Sequence, residues 1–599
     1  LSRRLASRLA PAFAVAVVGA LAALPALIYG LPAVGDSVYH ASWYRNFAAQ
    51  FWAGELYPRW LAGMNAGLGS PTFFFYAPVP FHIASLLKPL LPADAYGLRN
   101  LGAECWLAIV ASGLAAYVWL KKVCDSRAAA AIGASLYVLA PYHLVIDLYN
   151  REAYTELWAF VWMPLVLRGI KTIGDERRAT FAALAVAYAL LAATHLPATL
   201  IFSPVAIAYA YFTTERAARN ATTVRALAGV LVGAGLASVY LVPALFTQGD
   251  VTFADMHAFN YFERWVTFTR ASARDLYGQA LWGALTSACI IVCAAVNTFA
   301  RASETESERR EIESVRSETE SARSVSKSVR REIVFWIVAA AGSVLMMSFA
   351  SAPVWSVLKA LQKVQFPWRF SLNLCPALAA TVAVSCAASL RARKVNARML
   401  VFASLSVVAW LAIATDVIMR DYARAFATGA VSITNTEARL FRLGRDAPEY
   451  KPAQAASNSD DATEEIVRRL CDAETVPAGG CVSVAEGEAT ATVERWRARA
   501  IDLRVATHAG AQITVAQFYY PVWTARLDGA QQLPVQLVQP AGLLSINAPA
   551  GEHTINLRLE PTHAETLGRV VSALTLALLM LYLAQAARVR RVPREKVSG

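Results

Sequence analysis

Apolar runs of about 20 residues, long enough to cross a bilayer as a helix, recur along the chain. They lie at 11–33, 99–119, 126–146, 155–172, 178–195, 197–213, 224–246, 276–299, 333–353, 370–390, 398–418 and 566–587. The connectors between them are of two kinds. With the N-terminus inside, 121–127, 171–178, 215–225, 301–331, 391–398 and the C-terminal tail all become cytoplasmic, and all are basic-rich, as the positive-inside bias requires. The aromatic-rich, polar or long connectors then share the opposite face. The pattern predicts a mainly α, polytopic protein of about 12 transmembrane helices in the cytoplasmic (inner) membrane, with both termini cytoplasmic.

One stretch does not fit the alternation. Counted as a span, 73–91 would throw 121–127 and 171–178 outside, and Pro78, Pro80, Pro89 and Lys88 suit a membrane helix badly. It reads as a partly embedded or re-entrant piece of a first external loop, 34–98. The Ser-rich, mixed-charge segment 301–332 reads as a solvated cytoplasmic loop or exposed helix.

Polar and apolar residues alternate at 501–505, 513–518, 523–527, 535–538, 543–546 and 554–559, with Asp528-Gly529 and Gly551-Glu552 as turns. The period of two predicts a small extracytoplasmic β-sandwich-like domain before the last transmembrane helix. The chain thus divides into a transmembrane domain 1–419, an external soluble domain 420–564 that is β-rich from about 490, and a last span with basic tail at 565–599. Cys471 and Cys481 sit in that external segment with no His nearby, and a disulfide is favoured over two free thiols. The other six cysteines lie in or beside apolar spans, where a small buried hydrophobe is the default.

Composition agrees with this reading. Of 599 residues 56% are hydrophobic and 17% charged, and mean hydropathy is +0.40. The net charge of +13 is spread over connectors and tail, so it points to membrane lipid as a partner and not to nucleic acid. The first ten residues carry Arg3, Arg4 and Arg8, but the apolar run that follows is longer than a signal peptide's core, so a retained first helix is expected.

The topology gathers the candidate chemistry at the external face. Asp36 directly follows the first span, where partial desolvation makes a carboxylate a better base; the alternative is an N-cap on an interfacial helix carrying Trp43, Tyr44, Phe47, Phe51 and Trp52. His40 lies four residues on. Arg59 follows in the same loop. Tyr149-Asn150-Arg151-Glu152 and Glu156 join two spans, either as a structural ion pair or as a binding element. His195-Leu196-Pro197 marks a tight turn, and Gln365-Phe366-Pro367-Trp368-Arg369 opens a span with an arginine that either anchors at the interface or holds a phosphate. The loop 253–277, with Asp255, His257, Asn260, Glu263, Arg264 and Arg270, could cover a substrate. There is no phosphate loop, GxSxG motif, dinucleotide fingerprint or His/Cys metal cluster, so no soluble cofactor is indicated.

One span, a long external loop opening with an acid, then many spans resembles the GT-C superfamily of polyprenyl-phosphate-sugar-dependent glycosyltransferases. Further motifs are similar to a bacterial and archaeal membrane family labelled "6-pyruvoyl-tetrahydropterin synthase-related", itself similar to YfhO-like proteins. They are Gly35-Asp36 with His40, Gly69-Ser70-Pro71, Phe75-Tyr76-Ala77-Pro78, the Tyr149–Glu156 and His195–Pro197 segments, Gln365 to Arg369, Glu449-Tyr450-Lys451-Pro452, Tyr520-Pro521-Val522-Trp523 and Gly551-Glu552-His553. The pterin label carries no chemistry here, because the His trio of the soluble zinc enzymes has no counterpart.

The resemblance implies inverting sugar transfer from a polyprenyl-phosphate-linked donor, as co-substrate, to an envelope glycan or lipid acceptor. Asp36 would be the catalytic base, with His40, Arg59, Arg151, Glu152, His195 and Arg369 binding substrate. Many GT-C enzymes pair two carboxylates in this loop, whereas Ser37 follows Asp36 here; a divalent metal is left open and no metal ligand is assigned. The rival readings are a transporter or flippase of lipid-linked saccharides and a non-catalytic envelope assembly protein.

Overall fold

The computed structural model describes residues 3–175, 177–252, 261–267, 275–311, 318–392, 397–455 and 459–591. It is mainly helical. Among the described residues, seven helices are long and apolar enough to cross a membrane: Leu5–Ala22, Leu98–Cys124, Arg127–Asn150, Leu196–Thr213, Leu276–Ala300, Pro367–Arg391 and His563–Gln585. Two further pairs, Arg219–Leu236 with Ser238–Phe246 and Lys327–Met347 with Phe349–Val357, are bent by 74° and 88°, which raises the number to nine if each is one span. The structure supports seven to nine spans among the described residues and does not confirm the expected twelve. Residues 155–172 do form a helix, Tyr154–Thr172, but it carries Glu156, Arg168 and Lys171; the helix Arg178–Ala192 is only 15 residues long. Tyr154–Thr172 is almost wholly buried in the bundle, whereas Arg178–Ala192 leaves Val186 exposed.

The first loop is short pieces laid on one end of the bundle. Helix Ser37–Trp52 buries Val38, Ala41, Trp43, Tyr44 and Phe47, and 73–91 holds the short helices Thr72–Phe75 and Val79–Leu87. At 1.5 Å per residue the longer reaches only about 14 Å. It cannot span.

The β region is two antiparallel sheets. Strands β1 (Val482–Glu486), β2 (Ala489–Arg497), β3 (Ala500–Thr507), β4 (Ala511–Phe518), β5 (Trp523–Leu527), β6 (Gln531–Leu533), β7 (Val535–Val538), β8 (Leu543–Ala548) and β9 (Gly551–Leu559) order as β1-β4-β8-β7 and β2-β3-β9-β5-β6. Register puts Ile501 opposite Leu557 and Leu503 opposite Ile555, while Ile513 faces Ile546 in the other sheet. These side chains are fully buried in one shared cluster, so the period-two pattern does close a sandwich. β1 and β2 lie largely exposed, which is why their alternation is faint in the sequence. The polar stretch before them is more regular than expected: helix Asn435–Leu443 starts on a Thr434/Glu437 capping box and Asp460–Cys471 on Ser459. Cys471 and Cys481 are disulfide-bonded.

The sandwich is pinned to the first loop. Phe518 N donates to Leu68 O at 2.7 Å, Val476 N to Ala66 O at 2.7 Å and Asn65 N to Gly444 O at 3.0 Å. Asp446, buried, accepts from Trp43 Nε1 at 2.8 Å and from the Ser70 hydroxyl.

Candidate functional site

The α-helical part of the span Arg127–Asn150 ends at Val138, and after Pro141 the chain continues as a π-helix, Tyr142–Asn150. Arg151 N closes the wide turn by donating to Ile146 O at 2.9 Å. π-segments of this kind recur at functional sites because they re-aim side chains. Here Arg151 Nη1 meets Asp147 Oδ1 at 3.0 Å and Glu156 Oε2 at 3.1 Å. The Tyr142 hydroxyl donates to Glu156 Oε1 at 2.9 Å. Arg369 Nε stands 3.4 Å from Glu156 Oε2, and its Nη1 donates to Val364 O at 2.8 Å. All of these charged groups are buried.

Asp36 is the exception. Its carboxylate is 48% exposed and lies 3.6 Å from Arg151 Nη2. It occupies the N-cap position of helix Ser37–Trp52, yet its side chain makes no capping bond; the capping alternative therefore does not describe it. Its backbone N donates to Arg151 O at 3.2 Å. Gly35 makes this approach with φ +56°, and a Cβ there would lie 2.5 Å from Glu152 Oε2 and 3.2 Å from Arg151 O. Only glycine fits. Glu152 (φ +49°) and Gln365 (φ +67°) are left-handed without being glycine, a conformation costing about 1–2 kcal/mol per residue, and both flank the cluster.

His40 is buried behind Asp36. Its Nδ1 contacts Glu152 O at 3.2 Å and its Nε2 the Tyr76 hydroxyl at 2.8 Å. A carbonyl can only accept, so Nδ1 carries the proton and Tyr76 donates to Nε2. Burial, only partly opposed by Asp36 and the Glu152 carbonyl, pushes the imidazole down to about 4. It is neutral, and it orients Tyr76. His195 caps helix Leu196–Thr213, its Nδ1 accepting from Ala198 N at 3.2 Å, with Nε2 4.0 Å from Glu156 Oε2.

Arg59 is placed elsewhere. Its Nε pairs with Glu565 Oε1 at 3.0 Å, both groups buried, and its Nη2 donates to Val239 O at 2.7 Å. It joins the first loop to the start of the last helix and does not meet Arg151 or Arg369.

Three residues have a place at the site that the sequence reading did not assign them. Asp147, four residues before Arg151, closes an apolar run; an acid at that i,i+4 spacing was a readable signal. Phe366 is ringed by guanidinium groups, with Arg264 and Arg369 each 5.0 Å from its centroid and Arg151 at 5.8 Å, and it stacks on Trp368 at 4.5 Å. Glu449 is the third: burial pushes its carboxyl up to about 7, and the charges of Asp446 and Asp36 add to the rise. Of the 253–277 loop, Asp255, His257, Asn260 and Arg270 lie outside the described residues; Arg264 is the member seen at the cluster.

Three carboxylates, Asp36, Asp147 and Glu156, thus surround Arg151 and Arg369, so the guanidinium charge is already largely compensated. Among the described residues no three His, Cys, Asp or Glu side chains group as a metal site, and each carboxylate of the cluster faces an arginine. This donor set does not suit a divalent cation.

Apolar spanning helices and a buried ionic cluster at one end of them define a polytopic membrane protein. The model of a membrane-protein family described as a 6-pyruvoyl-tetrahydropterin synthase related domain matches residues 73–421, and the chain belongs to that family. Arg151, Glu152, Glu156, His195 and Arg369 fall inside the match; Asp36, His40 and Arg59 precede it, and the sandwich follows it. No curated protein matches the chain, and no solved structure does.

Proposed function

We propose that the protein transfers a sugar from a polyprenyl-phosphate-linked donor to an envelope glycan or lipid acceptor at the extracytoplasmic face, with inversion. The observation that carries this reading is the half-exposed Asp36 carboxylate, the one acidic group of the cluster open to a substrate. Its oxygen takes the proton of an acceptor hydroxyl. The hydroxyl oxygen then bonds to the sugar's anomeric carbon as the carbon–oxygen bond to the phosphate breaks, and the polyprenyl phosphate leaves with that electron pair.

Arg151 acts through Asp36, holding its carboxylate in place. Arg264, at the Phe366 ring, is the cation assigned to the leaving phosphate; Arg369, held by Glu156, backs the same ring. His40 and Glu152 shape the wall behind Asp36. Arg59, committed to Glu565, takes no part in this proposal.

Asp36→Asn tests it. The variant should fold normally while transfer falls by roughly 10²–10⁴-fold; cells carrying it should accumulate lipid-linked donor and lack one sugar in an envelope glycan. Unchanged donor pools and glycans would sink the assignment.

Movement of lipid-linked saccharide is a second reading, favoured by Glu104. Both its carboxylate oxygens are buried without a hydrogen-bond partner among the described residues, inside the span Leu98–Cys124, and such groups often mark transport paths. Glu104→Gln abolishing movement, with Asp36→Asn silent, would select it.

A further inference from the structure

The far end of helix Leu196–Thr213 lies 18 residues from His195, or about 27 Å at 1.5 Å per residue. There the helix packs beside Glu318–Met347 and leaves an open groove of about 900 Å3. Val205, Ala208 and Phe212 line one wall, and Val334, Phe335 and Val338 the other. Phe212, Val334 and Val338 are exposed. An apolar trough this open favours a hydrocarbon chain over water.

Its mouth is chemically different. Among the described residues, Arg219, Lys327, Arg330 and Arg331 stand there with a single carboxylate, Glu215. Glu215 engages Arg331 Nη2 at 3.5 Å, while Arg331 Nη1 donates to Thr214 O at 3.1 Å and Arg219 lies over the Tyr211 ring at 4.7 Å. The Nε atoms of Arg219 and Arg331 are buried with no hydrogen-bond partner among the described residues. Glu332, next along the helix, does not offset the rim, because Lys171 and the Tyr209 hydroxyl hold it. Four cations against one acid, two of them with unused buried donors, match a phosphate oxygen cluster.

We infer that this groove is a binding site for an anionic phospholipid, one acyl chain in the trough and the phosphate at the Arg219–Arg331 mouth. The site is independent of the sugar-transfer reading: it lies at the other end of the helix and shares no residue with the Asp36 cluster.

The test uses the full chain purified in detergent, titrated with phosphatidylglycerol or with phosphatidylcholine of the same acyl chains, and bound lipid counted by native mass spectrometry. Phosphatidylglycerol should bind at least about tenfold more tightly. Combining Arg219→Gln, Lys327→Gln and Arg330→Gln should remove that preference, whereas Ala208→Trp, which fills the trough, should weaken both lipids. Equal affinity for the two lipids in the unaltered protein overturns the proposal, as does a preference that survives the triple substitution. Stripping of bound phosphatidylglycerol by millimolar inorganic phosphate alone would mean an anion site without lipid, and displacement by an equimolar polyprenyl phosphate would assign the groove to that lipid instead. Should the triple variant aggregate, the lipid comparison and Ala208→Trp decide.

Discussion

The two ends of helix Leu196–Thr213 handle charge in opposite ways. At the His195 end, Arg151 and Arg369 are enclosed by Asp147, Glu156 and Asp36, and of these three acids Asp36 alone is half-exposed. At the other end, four cations share one acid among the described residues, and the groove between them is open. A buried charge is tolerated only when paired, so the compensated end is bound into the fold. The uncompensated end sits where solvent and headgroups can reach it, and its charge is available to a ligand. Charge imbalance, more than the number of arginines, tells where an anion from outside can be received.

The largest expected effect breaks the compensated end. Glu156→Ala leaves Arg151 and Arg369 short of their shared partner in a buried setting, and should cost about 3–5 kcal/mol of stability, read as a lowered melting temperature in detergent. A loss below about 1 kcal/mol would show that the cluster is not held by its pairing.

A smaller effect comes from His40. Its folded-state pKa, about 4, lies below the ordinary 6.5, so the neutral ring's contribution is fully present above pH 6.5 and is lost as pH falls through about 4. Melting temperature should therefore drop across that window, and His40→Gln should flatten the dependence. An identical acid limb in the variant would place the titrating group elsewhere.

The smallest effect sharpens the contrast from the other end. Lys327→Gln relieves like-charge crowding at the groove mouth and should change stability by no more than about 0.5 kcal/mol, although it weakens anionic lipid binding. A destabilisation comparable to that of Glu156→Ala would mean that the two ends are alike after all.

Much of the candidate site was legible because its residues are costly in apolar surroundings. Arg151, Glu156, His195 and Arg369 stand out at span boundaries, and the structure draws them to one carboxylate. Arg59 looked the same in the sequence and went elsewhere, since nothing local distinguishes an arginine that will meet Glu565, more than 500 positions away, from one that will meet Glu156. Asp147 was hidden by the reverse difficulty: it stands where an apolar run ends, and the π-turn that aims it has no sequence mark beyond Pro141. The span count is a related case, the structure supporting seven to nine of the expected twelve among the described residues. The helix Tyr154–Thr172 is apolar enough to look like a span, but hydropathy cannot tell lipid from protein as its neighbour.

The sequence by itself determined the membrane character, the helical bundle and the two-sheet region, because hydrophobic periods of 3.6 and 2 act locally and repeat many times. It also placed Gly35, whose φ of +56° glycine adopts most readily, directly before Asp36. Tertiary structure alone decided which arginine meets which acid, which end of a helix keeps an unspent positive charge, and that the Asp36 carboxylate stays open. Those outcomes depend on single long-range contacts, and a pattern along one chain holds no copy of its distant partners.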